Sequence, residues 1–147
     1  MIEFVLLKQE HIQQIAALET FCFSVPWSAD AISGELSNPL SVWYVAVEDD
    51  RVAGYVGSQA VLDEADMMNL AVAPKFRRKG VAKDLVAHLI QHLKEQNVRC
   101  LTLEVRASNE AAIALYDALG FSCVGRRPGY YHKPREDALI FRKEWDI

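Results

Sequence analysis

Residues 66–106 limit what this chain can fold into more than any other stretch. A strand-like apolar run through Leu70, Ala71 and Val72 stops at Pro74. A basic turn follows, Lys75-Phe76-Arg77-Arg78-Lys79, and ends at Gly80. From Gly80 to about Gln96, Ala82, Leu85, Val86, Leu89, Ile90 and Leu93 recur at steps of three and four, the spacing of one helix face. Residues 100–106 then alternate, with Leu101, Leu103 and Val105 on one side and Thr102, Glu104 and Arg106 on the other. Strand, full helix, strand is the crossover that a parallel strand pair requires.

The flanks read as antiparallel. Residues 2–7 predict a strand, and 9–23 a helix carrying Ile12, Ile15, Ala16 and Leu18. Ser28, after Pro26-Trp27, caps a second helix reaching about Leu36, which Asn38-Pro39 ends. Strands at 42–48 and 52–62 meet in the polar turn Glu48–Arg51, a hairpin. Asn97 is the expected cap ending the long helix, and Ser108-Asn109 opens another that stops at Gly120. The last strands fall at 121–127 and 138–144, with Tyr130, Tyr131, Pro134 and Arg135 in the loop between them. The order predicts a single α/β domain over residues 1–147, a mixed sheet with helices on both faces.

Net charge is −4, which argues against direct nucleic acid binding and makes the basic turn a local feature. No apolar run approaches the ~20 residues of a membrane span, and no secretory signal opens the chain. Cys22, Cys100 and Cys123 are odd in number, widely spaced and set among apolar neighbours. They read as three buried free thiols in a reducing cytoplasm.

Three constellations could carry chemistry. Unpaired N–H groups at a helix start, joined by Arg77, Arg78 and Lys79, make a candidate pyrophosphate cradle; the alternative is a solvated basic turn. Neither a Walker loop nor a dinucleotide glycine pattern is present. Glu104 sits mid-strand, either as an ion pair with Arg106 or a cross-strand partner, or as a general base whose pKa partial burial would raise. Asn109, Ala112 and Tyr116 share one helix face, and Tyr116 is either a core residue or a general acid. His88 and His92 stand four apart, but no third ligand is evident, so they read as a solvated helix face and no metal is expected.

In this order and spacing the constellations resemble the GNAT family of N-acetyltransferases. The family's Arg/Gln-x-x-Gly-x-Gly/Ala is matched by Arg77-Arg78-Lys79-Gly80-Val81-Ala82. Asn109-x-x-Ala112 through Tyr116 to Gly120-Phe121 is similar to its second signature. Further stretches resemble the RimI-type branch, which acetylates the N-terminal alanine of a ribosomal protein: Pro26-Trp27-Ser28, 61–65, 103–109, 111–116, Tyr130-Tyr131 and Arg135-Glu136-Asp137-Ala138.

The resemblance implies the GNAT fold, with a mostly antiparallel sheet whose one parallel pair splays, and acetyl-CoA as acetyl donor. Leu70, Ala71 and Val72 would lie in a bulged strand pairing with the pantetheine arm. Arg78, Lys79, Gly80, Val81, Ala82 and Lys83 would wrap the pyrophosphate, and Asn109 would contact the donor. Glu104 would accept the proton of the incoming amine and Tyr116 would protonate the thiolate. Trp27, Tyr130 and Tyr131 would meet the acceptor, the N-terminal peptide of a small-subunit ribosomal protein. Asp63, Glu64 and Asp66 are candidates to dock that basic peptide near the mouth. Two other readings stay open: acetylation of a lysine or small-molecule amine, and a non-catalytic acyl-CoA-binding module.

Overall fold

The structure, a computed structural model, describes residues 1–146. Seven strands form one sheet: β1 (Glu3–Leu6), β2 (Ser41–Glu48), β3 (Arg51–Val61), β4 (Glu64–Val72), β5 (Cys100–Arg106), β6 (Ser122–Tyr131) and β7 (Glu136–Glu144). The helices are α1 (Ile12–Cys22), α2 (Ala29–Glu35), α3 (Val81–Glu95) and α4 (Glu110–Ala118). In space the strands run β1-β2-β3-β4-β5-β7-β6. Only β4 and β5 pair in parallel among the described strands, joined by α3 as the crossover helix. The predicted GNAT fold is the fold observed.

Local chemistry explains the element ends. Asp49 and Asp50 both take positive φ, 48° and 64°, in the two-residue β2–β3 turn, the twist that tight hairpins favour. Ser28 accepts from the Ala31 N–H at 3.1 Å and starts α2. Gln96, not Asn97, caps the end of α3; Asn97 is the next residue and turns left-handed, with φ 63°.

Alternation divides the core between the two sheet faces. Ala46 and Val56 pack with Leu85, Leu89 and Leu93 of α3 and with Tyr116 of α4. Val45 and Tyr55 pack on the other face with Ile12 and Ile15 of α1 and Ile32 of α2. His88 stacks on Phe4 with ring centroids 4.5 Å apart, and the His92 ring meets the Tyr44 hydroxyl at 3.2 Å. Both rings lean on the β1–β2 edge of the α3 face, His88 still exposed and His92 half-buried.

Two expectations are corrected. Tyr130 and Tyr131 are the end of β6, and the loop shrinks to 132–135. β6 is an outer strand that continues past Pro128 through irregular register, and an edge tolerates the missing proline N–H. The cysteines are not uniformly buried: Cys100 is buried, Cys22 half-buried and Cys123 exposed on the outer strand.

Candidate active site

The parallel pair is short. β4 and β5 pair at Glu64–Cys100, Ala65–Leu101 and Asp66–Thr102, and there the ladder stops. β4 continues along β3 to Val72, and β5 along β7 to Arg106. Just past the last parallel pair, β4 is bulged: Gly57 faces Asn69 while Ser58 faces Met67, so Met68 is the extra residue. A bulge bends its strand and ends pairing. The gap opens into a cavity of about 1020 Å³.

Glu104 and Tyr116 both line this cavity. The Glu104 side chain is 26% exposed and lies 4.0 Å from the Arg127 guanidinium. Its ionic partner therefore comes from β6, not from neighbouring Arg106. Tyr116 is buried, edge-on to Phe121, with its hydroxyl 3.6 Å from the Met67 sulfur. Burial chiefly, with Tyr131 second, pushes its phenol well above the ordinary tyrosine value. Tyr131 also lines the cavity, and burial followed by the Glu104 carboxylate pushes it up to about 12.

Of the strand residues expected at the donor, Leu70, Ala71 and Val72 line the cavity, as do Ala82 and Asn109. Arg78, Lys79, Gly80, Val81 and Lys83 form the turn and first helical residues leading into it without lining it. Arg78 and Gly80 take φ 64° and 77°, both left-handed. Gly80 is the N-cap of α3 and supplies no side-chain cap, so the helix start keeps free donors. The Val81 side chain is in the core, which leaves its backbone for any ligand. Arg77 is already engaged, donating to the Val72 carbonyl at 3.1 Å. Asn109 caps α4, accepting from Ala112 N–H at 3.1 Å, so its amide nitrogen is the group left for a ligand.

Trp27 does not line the cavity: its ring packs edge-on against Trp43, 5.5 Å between centroids, and Phe23, Ser24 and Val25 face the cavity instead. Tyr130 and Tyr131 both line it. Asp63 and Glu64 lie where β4 begins, engaged by Arg99 at 3.7 Å and Arg142 at 3.3 Å, away from the cavity. Asp66 does not line it either, though it is exposed beside Thr102, on the Glu104 face of β5.

Sequence reasoning missed Glu19. It is fully buried, and its carboxylate accepts from Trp27 N–H at 2.8 Å, from Asn69, and from the Tyr55 hydroxyl. It therefore ties the loop after α1 to the bulged strand. A signal existed: Ile12, Ile15 and Glu19 share one helix face, so a charge sits on an apolar stripe. Arg106, a possible partner of Glu104 by sequence, instead pairs with Glu136, joining β5 to the start of β7 at 3.3 Å. Among the described residues, no group of three or more His, Cys, Asp and Glu side chains gathers as a metal site, and no helix is long and apolar enough to cross a membrane.

A splayed parallel pair, a bulge at its fork and an uncapped helix start beside it define an acyltransferase architecture, and the chain belongs to the acetyltransferase (GNAT) family, whose profile matches residues 12–121. Members of that family use acetyl-CoA. Within it, the chain is similar to the [ribosomal protein bS18]-alanine N-acetyltransferase of Salmonella typhimurium, 43% identical over 126 residues, 84% of each chain. The Escherichia coli K12 protein of the same description is 39% identical over 132 residues, 88% of this chain and 84% of that one. The crystal structure of the E. coli ribosomal-protein-S18-alanine N-acetyltransferase matches with a TM-score of 0.91 and 34% identity, covering 100% of this chain and 96% of that one.

Proposed function

We propose that this chain, acting as one catalytic domain, acetylates the α-amine of the N-terminal alanine of ribosomal protein bS18, with acetyl-CoA as donor. The observation that carries the reading is that Glu104 and Tyr116 line one cavity at the fork of β4 and β5. The similarity to bS18-alanine acetyltransferases over most of the chain supports the acceptor.

Acetyl-CoA supplies the acetyl group as an activated thioester. The residues at the fork fit such a donor: the free N–H groups at the start of α3, beside exposed Arg78 and Lys79, suit a pyrophosphate. The β4 edge beyond Asp66, no longer paired to β5, offers backbone groups to an amide-bearing arm.

A free α-amine has a pKa near ~8 and is mostly protonated at neutral pH. Glu104 takes its proton, directly or through one water, and exposes the attacking lone pair. Tyr116, held protonated by burial, gives its proton to the departing sulfur. Transfer is direct: Cys22 lines the cavity, but its contact there is with Arg77, at 3.8 Å, and no base adjoins it to make it a nucleophile.

The test is incubation with acetyl-CoA and two peptides, read by mass spectrometry. One carries the free bS18 N-terminus; the other is N-terminally blocked and contains lysine. A single acetyl group on the free α-amine is expected. Acetylation of the blocked peptide would instead assign a lysine acetyltransferase, and acetyl-CoA binding without turnover a non-catalytic module.

A further inference from the structure

Arg106 follows Glu104 by two residues on the same face of β5, and both terminal nitrogens of its guanidinium are hydrogen-bonded. One terminal nitrogen donates to the Pro134 carbonyl at 2.9 Å and to Glu136 at 3.3 Å; the other donates to the His132 carbonyl at 3.0 Å. Its central carbon lies over the Tyr131 ring, 4.5 Å from the ring centre. Both carbonyls belong to the 132–135 turn, which has no ladder of its own. Glu136, opposite Tyr131 in the β6–β7 register, spends its second oxygen on the Ser108 N–H at 2.6 Å. Hydrogen bonds from Ser108, then Arg106, hold its carboxyl below the usual carboxylate range. One ion pair thus joins the end of β5, the tip of the last hairpin and the entry to α4.

We infer that Arg106, locked by Glu136, is a positioning residue that sets the Tyr131 ring beside Glu104 and so shapes the wall against which the acceptor amine rests. The inference rests on the proposed reading of this site. Three features support it. Tyr131 and Glu104 line the same cavity, and the Glu104 carboxylate helps raise the Tyr131 phenol. Arg106 sets its guanidinium carbon 4.5 Å from the centre of the Tyr131 ring, and lysine has no such planar group. The groups Arg106 satisfies are backbone carbonyls of the turn next to Tyr131, so its loss frees the tip of the hairpin rather than the core.

The role is geometric, so charge alone does not fulfil it. A lysine at 106 keeps the charge and loses both the fork and the planar guanidinium over the ring. Displacement of a positioning wall by about an ångström costs up to ~100-fold in an oriented reaction. Its effect passes through Tyr131 and should vanish once that ring is gone.

The experiment is a double-mutant cycle of Arg106→Lys and Tyr131→Ala, with KM for the bS18 N-terminal peptide, kcat and acetyl-CoA affinity measured for each variant. Arg106→Lys is expected to raise peptide KM about tenfold or more, leaving acetyl-CoA affinity within about twofold. In the Tyr131→Ala background the same substitution is expected to add nothing. Wild-type behaviour of Arg106→Lys, or effects that multiply in the double variant, would overturn the inference. So would an unchanged peptide KM in Tyr131→Ala. Glu104→Gln assayed alongside separates the two failures: if it loses turnover, the reaction stands and only the positioning role falls. Should Arg106→Lys not fold, Glu136→Gln enters the same cycle, with a smaller rise in KM and the same lack of additivity expected.

Discussion

The side-chain amide of Asn69 donates to both carboxylate oxygens of Glu19, at 2.9 Å each, across fifty residues of sequence. The carboxylate also holds the Trp27 N–H and the Tyr55 hydroxyl, so one buried charge joins α1, the loop after it, β3 and the bulged strand. Glu19→Ala strips three donors of their acceptor at once. It should lower stability by about 3 kcal/mol, seen as a lower urea midpoint at unchanged slope.

Glu104→Gln removes the proposed proton acceptor and keeps the shape. kcat/KM should fall about 10²- to 10⁴-fold near neutral pH. The deficit should narrow above pH ~8, where the amine sheds its own proton. Full activity across the pH range would remove Glu104 from the role of base.

Tyr116→Phe deletes one hydroxyl whose protein partner is a thioether sulfur, a weak acceptor. Folding stability should change by less than about 1 kcal/mol, while kcat drops about 100-fold and acetyl-CoA affinity stays within about twofold. Steady-state kinetics with a thermal melt of the same sample separate the two effects.

Alkaline pH should loosen the fold through its buried phenols. An unfolded tyrosine ionises near ~10, whereas folded Tyr131 is pushed up to about 12 and Tyr116 and Tyr55 are also raised by burial. Between those values the unfolded chain has shed protons that the folded one keeps, so unfolding gains. The contribution is therefore complete below pH ~10 and is lost as pH climbs toward 12. Melting temperature against pH should turn downward there, and Tyr131→Phe should make the descent shallower.

Local pattern carries far in this chain because the elements near the site are amphipathic and sharply ended. Helix α3 shows in the spacing of Leu85, Leu89 and Leu93, and β5 in the strict alternation that leaves Glu104 on the less buried side. The donor side is the more legible because it is built from contiguous backbone: a strand end, a turn and a helix start. The acceptor side is less so. Trp27 follows a proline turn whose direction depends on Glu19, and the outer strand β6 bends through shifts in register that no alternation reveals. Arg127 reaches Glu104 only because β7 lies between β5 and β6. Such pairings depend on strand order, which short-range pattern does not encode.

The gap between β4 and β5 acts as a window through the sheet. Ser24 and Tyr131 line the same cavity as Ala82 and Asn109, so segments from both sides of the wall look into one space. Two reactants brought to opposite faces of the sheet can then meet in it. A peptide still tethered to a bulky body needs to offer only its first residues at one sill, and a long carrier can lie along the other.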